Sequence, residues 1–243
     1  MAHFYLVEDL ESAAVGDRVA LVGAEARHAV TVSRISVGET VSIGNGAGLV
    51  VTGEVVTAEH TELAITVNEV HEHPHRQPAL FLVQALAKGD RDELAVQAAT
   101  ELGVDGVIPW QAARSISRWE GAKVAKGRDR WTAIVREASK QSIRPWVPDV
   151  LDLATTKQLA AMVSSAVRML VLDPTAETPL ASLALDDRDL LVVVGPEGGI
   201  APQELATLTG AGAELVRLGP EVLRTSTAGP AAIAVLNVGL GRW

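Results

Sequence analysis

From residue 79 onward the sequence carries runs that are apolar at nearly every position: ALFLVQAL (79–86), RMLVLD (168–173), LLVVVG (190–195) and, less completely, ELVRLG (214–219). A strand with one solvated face alternates polar and apolar residues, so an unbroken apolar run has to be covered on both faces. The covering layers are legible between the runs. DRDELAVQAATELG (90–103) reads as a helix with Asp90 as N-cap and Gly103 as its C-terminal stop, and it lies between ALFLVQAL and the strand DGVIPW (105–110). A longer helix is predicted over 122–142, with Trp131, Ile134, Val135 and Ala138 on one face and much of the positive charge opposite. A further helix starts near Pro202, and the apolar stretch 227–241 reads as a buried C-terminal helix. Strands separated by helices in this way predict a mostly parallel α/β sheet.

The first 70 residues follow another rule. HFYLV (3–7), RVALV (18–22), ETVSIGN (39–45), GLVVTGEVV (48–56) and ELAITVNEV (62–70) are short, rich in β-branched residues and in several cases alternating, which predicts a small all-β barrel or sandwich. AEARHAVTVSR (24–34) interrupts them as one short helix. The polar, twice-prolyl stretch HEHPHRQPA (71–79) is the linker candidate, giving an all-β domain over 1–72, a connection over 73–78 and an α/β domain over 79–243.

Composition narrows the function. The chain has no cysteine, which excludes disulfides, thiolate metal sites and cysteine nucleophiles. No apolar run reaches the roughly 18 to 20 residues of a membrane span, and MAHFYLVEDLESAA lacks the pattern of a secretory leader, so a cytoplasmic protein without membrane contact is expected. The net charge of −9 argues against nucleic acid until its distribution is read. Residues 1–111 carry 6 Lys/Arg and 16 Asp/Glu, residues 147–243 carry 6 and 11, but residues 112–144 carry 9 and 3. Trp110, Trp119, Trp131 and Trp146 lie in or beside this +6 segment. Cations interleaved with aromatics suit a surface that pairs with phosphates and stacks on unpaired bases. A solvated helix face over buried tryptophans produces the same pattern.

GNGAG (44–48) lies between two strands rather than between a strand and a helix, and reads as a hairpin turn, not a dinucleotide loop. His71, His73 and His75 alternate in the linker without a second ligand cluster, and no metal is expected. GPEGG (195–199) is more informative because it follows LLVVV and precedes a helix, the place where open α/β sheets bind ligands. LGPEVLRTSTAGPAA (218–232) and VLDPTAE (171–177) end two other strands in the same manner. Three such loops converging on one sheet edge suit an adenosine-like ligand held by backbone groups.

KGDR (88–91), ATELGV (99–104), Arg114–Ser115, Arg130–Trp131, EASKQSIR (137–144), GPEGG followed by Glu204, and LGPEVLRT (218–225) occur together and in order. In this the chain resembles the RsmE-type 16S ribosomal RNA uracil-N3 methyltransferases of the SPOUT superfamily, over essentially its whole length. The resemblance implies a PUA-like β-barrel that helps to dock RNA, a SPOUT α/β methyltransferase domain with a deep trefoil knot, S-adenosyl-L-methionine as methyl donor, and a homodimer acting on 16S rRNA or the small ribosomal subunit. It places the donor among Leu172, Asp173, Pro174, Gly195, Pro196, Glu197, Gly198, Gly199, Leu218, Gly219, Val222, Leu223 and Thr225. Arg224 is the candidate catalytic residue, stabilising a deprotonated uracil or clamping a phosphate. Lys88, Arg91, Arg114, Arg118, Arg136, Lys140, Gln141 and Arg144 are the RNA-contact candidates. One departure stands out: Ser226 occupies the position of a glutamate common in the family, so no carboxylate role carries over there. The alternatives are a SPOUT enzyme for another rRNA or tRNA nucleotide and a ribosome-assembly factor that binds RNA without catalysis.

Overall fold

The computed structural model describes residues 3–243. It forms two compact units, Met1–His75 together with Ser139–Val147, and Arg76–Ala138 together with Pro148–Trp243. Among the described residues no helix is long and apolar enough to cross a membrane.

In the first unit, β1 (Phe4–Leu6), β2 (Arg18–Val22), β3 (Thr40–Gly44), β4 (Leu49–Ala58) and β5 (Glu62–Glu72) form one sheet in the order β1-β3-β4-β5-β2. Every pairing is antiparallel except β1 with β3. The strands bury Leu21, Ile43, Val51, Val55, Leu63 and Ile65 completely. β5 extends to Glu72, so the strand takes in the first residues of the stretch read as linker. GNGAG is the β3–β4 hairpin: Gly46 and Gly48 adopt φ of +74° and +100°, and the Asn45 side-chain oxygen accepts the amides of Ala47 and Leu49. The expected single helix over 24–34 is instead α1 (Gly23–Arg27) followed by a π-helical turn, His28–Val32. Three successive β-branched residues, Val30, Thr31 and Val32, account for the break, because their stiff side chains crowd a regular α-helix.

The second unit contains β6 (Leu80–Ala85), α2 (Arg91–Glu101), β7 (Gly106–Trp110), α3 (Ala122–Gln141, its last residues grouped with the first unit), β8 (Asp149–Val150) and α4 (Thr156–Ala160). These are followed by β9 (Val167–Leu172), β10 (Asp189–Val194), α5 (Pro202–Gly210), β11 (Glu214–Val216) and α6 (Thr225–Gly239). The six strands pair in parallel in the order β11-β9-β10-β6-β7-β8. The apolar runs are the buried strands: Leu190 to Val194 and Met169 to Val171 are all shielded from solvent. Gly103 ends α2 as expected, with φ of +92°, the Gly103 amide donating to Thr100 and that of Val104 to Ala99. Asp90 sits at the N-cap but, in a left-handed conformation, caps nothing with its side chain. The buried Asp92 accepts the amides of Ala87 and Glu93 instead.

Helix α6 begins at Thr225, two residues before the predicted start, which moves Pro230 from the first helical turn into the second. Gly229 lets this helix approach the sheet, since a Cβ there would lie 2.8 Å from Leu82 Cδ1 and 3.3 Å from Val194 Cγ2. Two ion pairs fasten the unit: Arg168 on β9 grips Glu214 on β11 at 2.7 and 2.8 Å, and Arg242 reaches the buried Asp105 at 3.2 Å.

Candidate functional site

β10, β9 and β11 are neighbours in a parallel sheet, so their C-terminal ends open on one edge. The loops that follow enclose a cavity of about 560 Å³. Leu172, Val194, Ile200, Val216 and Leu218 give it apolar walls; Asp173, Glu197 and Glu221 supply carboxylates and Arg91, Arg217 and Arg224 cations.

Local chemistry sets each loop. After β9, the Asp173 carboxylate accepts the amide and hydroxyl of Thr175 at 2.7 and 2.6 Å, and the Asp173 amide donates to Val216. After β10, Gly195 approaches Ile200 so closely that a Cβ would fall 2.6 Å from its Cγ1, and Gly199 turns the chain with φ of +71°. The Thr225 hydroxyl at the start of α6 donates to the Gly195 carbonyl (2.9 Å) and accepts the side-chain amide of the buried Gln84 (2.8 Å). One buried hydroxyl thus joins β6, β10 and α6 beneath the cavity floor.

The GPEGG loop is also held from outside. Glu197 accepts the Arg91 guanidinium at 2.9 Å and the Lys88 amide at 3.1 Å. Burial alone would raise the Glu197 carboxyl, but hydrogen bonds from its own amide, the Lys88 amide and Arg91 outweigh that and hold it below the ordinary carboxylate range. Arg114 donates to the Gly198 carbonyl at 3.0 Å. The buried Glu204 accepts the Ala113 amide (2.9 Å) and the Thr156 hydroxyl (2.7 Å), tying the residues before Arg114 to the head of α5.

Leu172, Asp173, Pro174, Gly195, Pro196, Glu197, Gly199, Leu218, Gly219, Val222, Leu223 and Thr225 all line this cavity. Gly198 does not; its carbonyl faces Arg114. Arg224 lines the cavity from the N-cap of α6, where its carbonyl accepts the amides of Thr227 and Ala228, and its exposed guanidinium has no partner among the described residues. Arg91, expected at the RNA and not at the donor, also lines the cavity, as do Thr175, Val194, Ile200, Val216, Arg217, Glu221 and Ala228 from outside the expected donor set. Ile200 and Glu221 were within reach of sequence reasoning, since they adjoin or belong to the quoted loops. Arg91 was not, because its carboxylate partner lies 106 residues away.

The RNA-contact candidates are divided between the two units. Lys88, Arg91 and Arg114 surround the GPEGG loop. Arg118 is exposed and donates to the Ala113 carbonyl at 3.4 Å, while Arg136 pairs with Glu137. Lys140, Gln141 and Arg144 belong to the other unit. Of these Gln141 is exposed and Arg144 half-buried. Lys140 corrects the expectation: its side chain is 6% exposed and its ammonium pairs with Glu25 at 3.1 Å, so it is a buried structural cation. The tryptophans divide likewise, with Trp110 and Trp131 fully buried and Trp119 half-buried.

The α/β unit with its strand-end cavity and the all-β unit correspond to the two parts of an RNA methyltransferase that carries a PUA domain. Residues 74–237 match the model of the RNA methyltransferase domain and residues 21–68 that of the RNA methyltransferase PUA domain. The chain belongs to the ribosomal RNA small subunit methyltransferase E family. It is 44% identical to the member from Mycobacterium bovis over 91% of this chain and 86% of that one, and 31% identical to the Bacillus subtilis member over 89% and 88%. The crystal structure of the Neisseria gonorrhoeae enzyme bound to S-adenosyl methionine superposes with a TM-score of 0.88 at 28% identity, covering 98% of each chain.

Proposed function

We propose that this chain transfers a methyl group from S-adenosyl-L-methionine to N3 of a uridine in 16S ribosomal RNA, working in the cytoplasm on the RNA or the small ribosomal subunit. The observation that carries the reading is the closure of three strand-end loops around one cavity with an unpartnered arginine, Arg224, in its wall. The cavity suits the donor: apolar walls accept a purine, loop backbone offers hydrogen bonds, and Asp173, Glu197 and Glu221 complement a cationic ligand. Bound there, S-adenosyl-L-methionine supplies an electrophilic methyl group.

The protein's own task is to hold the RNA base in line and to ease loss of the N3 proton. Glu197 is a poor base, because its hydrogen bonds and Arg91 stabilise the ionised form. Asp173 is engaged by Thr175. Ser226 is half-buried in the first turn of α6 and outside the cavity lining, and it supplies no carboxylate. Glu221, exposed in the cavity wall, is the carboxylate left to take the N3 proton, and Arg224 neutralises the charge that develops on the uracil oxygens as that proton leaves. A homodimer with the trefoil knot of the superfamily completes the reading, and the 77% exposed Val222 on the cavity's outer loop is an apolar side chain for a second copy to cover.

Calorimetry with metal-free protein should show saturable donor binding, and mass mapping of 16S RNA treated with protein and donor should show one added methyl on one uridine. Arg224→Ala should lower turnover about 100-fold with donor affinity retained. No donor binding and no added methyl would overturn the reading, and a methyl on another nucleotide would redirect it.

A further inference from the structure

A second cavity of the α/β unit, about 320 Å³, shares a turn with the first. Lys88, Gly89, Asp90 and Asp92 line it, whereas Arg91, between them in sequence, lines the donor cavity. Its opposite wall is aromatic. The Trp119 indole lies on the bare backbone of α3 at Gly127, where a Cβ would come within 2.4 Å of Cε2, and it meets Trp131 edge-on with ring centroids 5.3 Å apart. Glycine inside a helix is conformationally costly, and at 127 it makes room for a half-buried indole.

Three further features set this cavity apart from an ordinary crevice. The Trp131 ring is fully buried, yet its Nε1 has no acceptor among the described residues, an uncommon state for a buried donor. Gly89 and Asp90 take consecutive positive φ values of 67° and 59° at the rim, and for Asp90 that conformation is uncommon. Ile116, 65% exposed, adds an uncovered apolar side chain. The charges are mostly committed: Arg130 pairs with Glu93 at 2.9 Å, and the Asp92 oxygens accept the amides of Ala87 and Glu93. A phosphate site would gather unpaired cations. This one offers an aromatic face, an apolar rim and few free charges, the chemistry that receives a planar, uncharged, hydrogen-bonding heterocycle.

We infer that the cavity is a subsite for an unstacked nucleobase of the RNA substrate, seated against Trp119 beside the turn at 88–92. The inference rests on the RNA-methylating reading above and names where that site takes up RNA. The occupant is either the reacting base or its neighbour, since the two cavities share that turn.

Affinity for a single-stranded 16S-derived RNA fragment, with donor affinity by calorimetry as control, tests it. Trp119→Ala should weaken RNA binding about 5- to 150-fold, the range of one base–aromatic stack. Trp119→Phe should restore most of it, and donor affinity should stay within about twofold. Ile116→Ala, an exposed change that leaves the fold intact, should weaken RNA a few-fold. Abasic substitution one nucleotide at a time then finds the occupant: at one position the Trp119→Ala loss should vanish, and whether this is the methylated nucleotide or its neighbour identifies the base. If Ile116→Ala is neutral and no abasic position cancels the Trp119 effect, the indole merely supports α3 and the inference falls. Absence of donor binding to the native protein would instead overturn the function proposed above, while the RNA measurements would still decide the subsite.

Discussion

The strand-end cavity and the central basic segment are held in opposite ways. The cavity is made of backbone: three loops leave three adjacent strands, and side chains such as Asp173 and Thr225 merely fix turns whose place the sheet has set. The segment 112–144 is made of long side chains that reach far along the sequence, Arg114 to Gly198, Arg130 to Glu93, Arg128 to Asp152 and Lys140 to Glu25. Three of its cations thus face carboxylates from outside the segment, which offsets half of its +6 charge. Counting cations in a segment measures attraction to phosphate only after those with partners have been subtracted.

The sharpest test is Lys140→Ala, which strips the cation from Glu25 and should lower unfolding stability by about 3 kcal/mol, read as a shifted urea midpoint. Unchanged stability with weakened RNA binding would return Lys140 to the RNA surface and dissolve the contrast. Arg114→Ala comes next. Losing the bond to the Gly198 carbonyl should weaken donor binding about tenfold in the absence of RNA, a loss near the 1.5 kcal/mol of a charged hydrogen bond. Arg114→Lys should recover part of that, whereas an arginine serving RNA alone would leave donor calorimetry untouched. The smallest effect belongs to Lys88→Ala. Stability and donor affinity should hold, while the slope of log affinity against log salt should flatten by about 0.7, the share of one single-strand phosphate contact.

What the sequence disclosed follows the same division. Apolar runs disclosed the parallel strands, because burial on both faces leaves no room for polar residues, and glycine and proline at their ends disclosed the loops. Gly103 was legible since a left-handed C-terminal stop has a residue preference. Asp90 misled because the same residue type serves at N-caps and in left-handed turns, and only the fold shows which it is. The two-residue β8 and three-residue β11 are too short to carry a period, and β11 ends before the Arg217–Gly219 part of its predicted run. The attachment of residues 139–147 to the first unit left no local trace, and neither did the Arg91–Glu197 pair, because both depend on partners far along the chain.

The strand order has a consequence for how the polypeptide is made. β6 leaves the ribosome early, yet its neighbour in the sheet is β10, and Leu80 waits for Leu190, 110 residues later. At about 5 to 20 residues per second that is roughly 5 to 20 s during which one edge of an apolar strand has no hydrogen-bonding neighbour. The first unit waits too, since Ala47 bridges to Trp146. Neither half can finish folding as a closed module on the growing chain, so chaperone demand during synthesis should peak between the emergence of Leu80 and that of Val194.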